Sequence, residues 1–431
     1  MSKSSAPSAV AIKNIAAPAR IVWAAGQLRS TSTIRERAQS LLARARRGES
    51  QWFTVNDGAM DNAAALVAEL TRARYPDLKI PYHSRWRHFE AGGINRPDKL
   101  KRKLQQASTA EKARVQIDLA LVAVLLDAGA GPDWSYCEAA AGQRPAQRFN
   151  RSEGLGVASF HAFMAGLFSS DPAQPLRADA DGLKAMTADR LAKAFQVTTG
   201  NPLVGLEGRA ALLQRLGAAL ADQPEIFGQP ARPGHLFDRL TAGKTSIAAQ
   251  DLLSMLLTAL APIWPAQNAI EGIALGDCWQ HPAAGVACAA DDLTRGWMPF
   301  HKLSQWLTYS LLEPFEWAGI RIEGLDALTG LPEYSNGGLF LDSGVLRLKD
   351  GRQAARLHEV GDEIIVEWRA LTVALLDELA PMVRQQLGLT GIQMPLACVL
   401  EGGTWSAGRA LAQQLRSGQP PLNIRSDGTV F

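Results

Sequence analysis

Acidic, basic and aromatic side chains gather in a few short stretches of the 431-residue sequence, and each gathering points to a chemistry. Residues 325–342 (LDALTGLPEYSNGGLFLD) set Asp326, Glu333 and Asp342 among glycines and apolar residues, beside Tyr334 and Asn336. A carboxylate sheltered there can stabilise an oxocarbenium-like transition state or activate a water for attack on a sugar carbon. The same residues also fit a hairpin whose acids only cap turns. Residues 80–96 (IPYHSRWRHFEAGGINR) place His83, Arg85, Arg87, His88 and Arg96 between Tyr82, Trp86 and Phe89. Cationic forks beside aromatic plates suit a phosphate next to a planar group, or simply form a solvated basic face. Residues 297–302 (WMPFHK) put His301 and Lys302 at the start of a helix that carries Trp306, where an anion is favoured, although a capped core helix gives the same pattern. Glu401, in residues 400–405 (LEGGTW), adds a further carboxylate. Residues 199–209 (TGNPLVGLEGR) offer free N–H groups before an Ala/Leu-rich helix, either for an anion or as a plain helix start.

Other chemistries are weakened. Gly243-Lys244-Thr245 resembles the end of a phosphate loop, but the first glycine of that motif falls on Asp238. No G-x-G-x-x-G follows a strand, and Ser406 in GTWSAG has the wrong spacing for a nucleophile elbow. His83 and His88 are five apart rather than four, so no metal and no cofactor are expected. Cys137, Cys278, Cys288 and Cys398 follow no C-x-x-C spacing, which argues against a zinc site or disulfide framework and for a reducing, cytoplasmic setting.

The elements that must position these groups are mostly helices. Apolar spacing predicts helices over residues 30–47, 60–74, 112–127 and 302–313, the last stopped by Pro314. A long amphipathic helix follows from Ile364 to Val383, ending near Gly388. Leu339–Leu341 and 345–348, across Asp342, Ser343 and Gly344, read as a small antiparallel hairpin. The expected fold is mainly α, with residues 1–24 a flexible N-terminus and 25–431 one large helical domain. Two packed lobes, divided in the Asp/Pro/Ser-rich stretch 169–182, would also fit.

A 47% hydrophobic and 20% charged composition is that of a globular chain. The greasiest runs, 117–126 and 252–264, are too short for a bilayer, and no membrane partner is expected. The net charge of +3 hides an asymmetry, because residues 1–106 hold 19 Lys/Arg against 8 Asp/Glu. That basic quarter either binds phosphate or docks on the acidic remainder of the chain, and no nucleic-acid partner is inferred.

Taken together, residues 80–96, 299–306 (PFHKLSQW), 328–340 (LTGLPEYSNGGLF), 400–405 and 426–431 (SDGTVF) resemble the fourth uracil catabolism protein family of fungi and bacteria, also called the uracil-regulated protein three family. The resemblance covers nearly the whole chain. It implies a place in a pathway in which uracil is taken up as a nucleotide, its ring is opened, and a ribosylurea species is cut to urea and a sugar phosphate. Leu-Pro-Glu333-Tyr334 is also similar to the Asp-Tyr-Arg motif of queuosine-salvage nucleosidases, helical relatives of DNA glycosylases, with glutamate for aspartate and Ser335 for arginine. These resemblances imply an N-glycosidase-type hydrolase with a domain in the style of the helical glycosylases. Glu333, or failing it Asp342 or Asp326, would guide the water. Arg85, Arg87, His301 and Lys302 would hold the phosphate, Trp306 and Tyr334 would flank the urea or base, and His88, Asn336 and Glu401 would also bind substrate. An amidohydrolase acting on the opened ring, or a non-catalytic metabolite-binding partner of the ring-opening enzyme, are the alternatives. Association with other uracil catabolism enzymes is a further expectation.

Overall fold

The computed structural model describes residues 17–140, 145–264 and 268–425. Helices dominate, joined by two-stranded pairings, so the mainly α expectation holds. The helix Thr109–Leu125 starts where the Ser108 hydroxyl accepts the Glu111 N–H, keeps polar residues at the surface through its first half, and from Ile117 onward is buried all round. Lys302–Trp317 packs along it, and Glu363–Leu387 runs through the same core until Gly388 closes it with a left-handed φ of 70°. One apolar core continues through Phe168, Ala178, Ala180 and Leu183, across the stretch suggested as a lobe boundary. Among the described residues no helix is long and apolar enough to cross a membrane. All four cysteines are free thiols.

Two local expectations need correcting. Pro314 does not end its helix, which runs on to Trp317. A proline has no N–H to give to the carbonyl four residues back, here Ser310, and that carbonyl instead accepts the Trp86 indole N–H at 2.9 Å. Trp86 thus removes the main electrical cost of the interruption. The hairpin expected over 339–348 is not formed. Leu339 and Phe340 belong to the helix Tyr334–Asp342, and Gly344, with φ of 76°, lies just past its C-cap Ser343. The Asp-Ser-Gly turn signal was a helix stop, and Leu346–Leu348 pairs instead with Phe53–Val55, far away in sequence. At the N-terminus, the helix Ala17–Leu28 begins inside the stretch expected to be flexible, and the earlier part of that stretch lies outside the described residues.

The basic first quarter docks on the acidic remainder. Arg35 pairs with Asp377, Arg46 with Glu378, Arg74 with Glu401, Arg85 with Asp127, Arg87 with Glu313 and Arg96 with Glu138. Arg209, from the stretch read as a possible anion site, is buried and donates to the carbonyls of Leu126, Ala128 and Gly129. It closes the end of the Thr109–Leu125 helix and fixes the loop beyond it.

The helices Tyr334–Asp342 and Trp405–Arg416 cross very closely. A Cβ at Gly408 would lie 1.8 Å from the Ser335 carbonyl oxygen, so only glycine allows the approach. Gly408→Ala is expected to destabilise the chain by ~3 kcal/mol, through overpacking against backbone. Urea unfolding checks this, and an unchanged midpoint would contradict the close crossing.

Candidate active site

A cavity of about 440 Å³ opens among the end of the Thr109–Leu125 helix, the start of Arg151–Met164, the start of Lys302–Trp317, and the crossed pair Tyr334–Asp342 and Trp405–Arg416. Trp306, Tyr334 and Trp405 give it aromatic walls; Arg151, Lys302 and Arg409 are its cations; Asp127, Glu153 and Glu333 are its acids. His83 and His88 also line it, with the 128–132 loop and residues 418–424.

Glu333 is the N-cap of the helix Tyr334–Asp342, and its carboxylate accepts the Ser335 and Asn336 N–H groups at 2.8 and 2.6 Å. Those bonds fix it at the cavity wall while leaving each oxygen a second lone pair. Tyr334 follows it into the lining, where burial raises its phenol. Lys302 opens its own helix; its backbone N–H is taken by Asp277, and its ammonium has no carboxylate partner among the described residues. Arg151 adopts a left-handed φ of 50° at the start of its helix and is likewise without an acidic partner among the described residues. Arg409 is paired with Glu153 and lies over the Trp405 ring, 4.6 Å from its centroid. Burial opposes ionisation of Glu153, but the Arg409 guanidinium outweighs it and holds the carboxyl below its ordinary range.

Behind the lining, the Arg85 guanidinium is fully buried and donates to Asp127 at 2.9 Å, to Ser152 O at 3.0 Å and to His88 Nδ1 at 3.0 Å, beneath the Trp306 ring. Because Arg85 donates to Nδ1, the His88 proton sits on Nε2. Burial, reinforced by the Arg85 charge, pulls His88 down to about 3, so the ring is neutral near pH 7. Glu401 lies in the last layer. The Leu400–Thr404 segment is a π-helical turn, and its Glu401 accepts from Arg74 at 2.7 Å and Tyr75 at 3.0 Å, and meets His83 Nδ1 at 2.8 Å.

Of the residues singled out from sequence, His88, Lys302, Trp306, Glu333 and Tyr334 meet in this cavity. Arg85 and Glu401 support it from behind. Asn336 is buried in the helix, donating from Nδ2 to Leu331 O at 3.0 Å. Four others lie elsewhere. Arg87 faces away, bonded to Glu313 at 3.0 Å. His301 donates from Nε2 to Leu28 O at 2.8 Å and lines a separate hollow of only about 50 Å³. Asp342 is held by Arg416 through two bonds of 2.8 and 2.6 Å. Asp326 is exposed beside a third hollow of about 900 Å³, where Arg35 is already paired with Asp377 and no aromatic side chain is present. Asp342 and Asp326 therefore lie away from the cavity acids.

Sequence reasoning did not single out Asp127, Arg151, Ser152, Glu153 or Arg409. Asn150 followed three residues later by Glu153 marks a helix start, and Arg409 lies one helical turn after Trp405, but neither signal names a site. Also missed was the cluster of His281, Glu363 and Glu367, whose ligand atoms lie within 4.8 Å of one another. The Ala283 N–H donates to His281 Nδ1, so in that tautomer the proton is on Nε2, facing Glu367 Oε2 at 3.2 Å. A cation would have to displace that proton from a ring whose other nitrogen is already an acceptor. The donor set reads as a hydrogen-bonded pair.

A family model described as "Protein of unknown function (DUF1688)" matches residues 27–431. The chain belongs to this family. It is 38% identical over 414 residues to "Protein urg3" of Schizosaccharomyces pombe (strain 972 / ATCC 24843), covering 94% of this chain and 98% of that protein. It is 37% identical over 438 residues to "Uracil catabolism protein 4" of Lachancea kluyveri, with the same coverage of 94% and 98%. The family's sequence motifs now have places in the structure. Residues 299–306 supply Lys302 and Trp306, 328–340 supply Glu333 and Tyr334, and 400–405 supply Trp405 and the buried Glu401. Residues 426–431 lie outside the described residues.

Burial would raise the Glu401 carboxyl, but His83 and Arg74 hold it down at about 2. A folded value below the ordinary ~4.3 means that its stabilisation is in place above that pH and is lost as pH falls toward 2. Glu401→Gln is expected to cost about 3 kcal/mol at pH 7 and roughly half that at pH 3, because wild type has by then lost part of the same contribution. Urea midpoints of both proteins at the two pH values measure it; a pH-independent difference would contradict the assignment.

Proposed function

We propose that this chain takes part in uracil catabolism as a hydrolase that cuts the C–N glycosidic bond of a ribosylurea-type or related pyrimidine-derived nucleotide. What carries the reading is the pairing, in one cavity, of two cations without acidic partners among the described residues, Lys302 and Arg151, with the capping carboxylate of Glu333 and three aromatic side chains. An electropositive rim suits a sugar phosphate, and aromatic faces suit a planar urea or base. Glu333, the one of the three acids expected from sequence that lines this cavity, guides a water to the anomeric carbon and takes its proton. A relative named for uracil catabolism, alike over nearly its whole length, supports the pathway.

In this reading the chain's residues bind and orient while the glycosidic bond breaks. Lys302 and Arg151 anchor the phosphate. Trp306, Trp405 and Tyr334 exclude water from the planar group, and Glu333, fixed by two backbone N–H groups, loses little orientation entropy on reaching the attacking water.

Glu333→Gln keeps a side-chain carbonyl for the N-cap but removes the charge. Release of urea and ribose 5-phosphate from ribosylurea 5′-phosphate should fall by about 10²–10⁴-fold with the fold intact. Retained release would remove Glu333 from this role, and ammonia or carbon dioxide appearing before any sugar would favour an amidohydrolase. Arg151→Ala and Lys302→Ala should raise KM for the phosphorylated compound about tenfold or more and leave the dephosphorylated one little changed. Equal effects on both compounds would contradict phosphate anchoring.

A further inference from the structure

The hydrolysis proposed above leaves one requirement unmet, because a ureido nitrogen is a poor leaving group unless it gains a proton as its bond to carbon breaks. Glu333 removes a proton from water and cannot also supply one to the departing side. Of the other groups in the cavity, Lys302 and Arg151 are given to the phosphate, Asp127 accepts from Arg85 and Ser152, Glu153 is committed to Arg409, burial raises the Tyr334 phenol, and His88 is kept neutral by burial and the Arg85 charge.

His83 remains. It lines the cavity, yet it is almost wholly buried, with 6% of its surface exposed, between the rings of Trp405 at 5.7 Å and Trp306 at 6.4 Å. Its backbone N–H is fixed to Ala397 O at 2.9 Å, and its Nδ1 meets Glu401 Oε2 at 2.8 Å. Glu401 is itself immobile, held at its other oxygen by Arg74 and Tyr75. A carboxylate accepts only, so Nδ1 carries a proton and Nε2 is the nitrogen left for chemistry. No partner for Nε2 is present among the described residues. A buried carboxylate behind an imidazole, with the far nitrogen available beside a cavity, is an arrangement that moves protons.

Resting on the glycosidase reading, we propose that His83 Nε2 donates the proton to the departing nitrogen, with Glu401 as the residue that positions it. The C1′–N bond breaks and its electron pair stays with nitrogen, which takes the Nε2 proton. Water oxygen bonds to C1′ and its proton passes to Glu333. Urea and the sugar phosphate leave, and Glu333 returns a proton through solvent to His83, so the cycle balances with one water consumed. The charged and titratable groups that surround His83 are Glu401 with Arg74 and Tyr75 behind Nδ1, His88 and Arg85 on its own segment, Glu153 across the cavity, and Glu313 beyond Ser84.

Two probes and one spectroscopic measurement on the full chain test this. Ribosylurea 5′-phosphate needs a proton donor; 4-nitrophenyl β-ribofuranoside 5′-phosphate, whose phenolate leaves unaided, does not. His83→Gln is expected to lower kcat/KM by about 10²–10⁴-fold on the first and by less than about tenfold on the second. Glu333→Gln should lower both. Equal losses on the two probes with His83→Gln, or none on the first, would overturn the role. Glu401→Gln should move the high-pH limb of urea release to lower pH, since it removes the anion that favours the imidazolium; a limb that stays put reduces Glu401 to a structural part. In ¹⁵N-histidine-labelled protein, the neutral His83 ring should carry its proton on Nδ1, and a bare Nδ1 would refute the dyad whatever the substrate. Wild type that cleaves neither probe would sink the glycosidic reaction and this role within it, while the NMR result would still decide the dyad separately.

Discussion

Much of this structure depends on keeping one negative charge, that of Glu401, out of water. An isolated buried carboxylate is too costly to retain, so the surroundings must supply compensating donors with good geometry. They come from the Met60–Arg74 helix and the residue after it, through Arg74 and Tyr75, and from the segment that leads into Arg85–Phe89, through His83. The three partners lie more than 300 residues away in the chain, so satisfying this single side chain ties the basic first quarter to the C-terminal helices. The same tie brings His83 to the cavity and sets the crossing from which Trp405 and Arg409 reach it.

The distribution of positive charge follows from that arrangement. Most arginines of the first quarter are committed to acids further along the chain, and none of them lines the cavity. The cations left without acids there, Arg151 and Lys302, come from the middle of the sequence, where the charge count gives no hint of a basic patch. A run of positive residues was thus a sign of internal assembly, and anion recognition fell to isolated side chains.

The helices were legible because apolar periodicity and glycine stops are local. The 60–74 helix and the long helix closing at Gly388 lie where the spacing puts them. Pro314 misled because the group that relieves it, the Trp86 indole, is more than 200 residues distant. The Asp-Ser-Gly turn misled because a helix C-cap and a hairpin use the same residues. Within the site, the residue types around Glu333 and Trp306 were informative, whereas Asp342 and Arg87 look equally suitable in one dimension. Only their partners, Arg416 and Glu313, reveal that their charges are already spent. Glu153 and Arg409 escaped notice because each lies in an ordinary amphipathic helix, and their meaning arises when the two helices face one another.

The wide turn at Leu400–Thr404 has a consequence for how the sequence can vary. Such a turn holds one residue more than regular helix does, and it absorbs that residue locally so that the helix beyond keeps its facing. Trp405 and Arg409 thereby stay turned to the cavity together, and Gly408 stays against Ser335. The tolerance is lopsided: losing the extra residue would close the turn to regular helix, whereas a second insertion beside it would wind every later side chain around by about 100°.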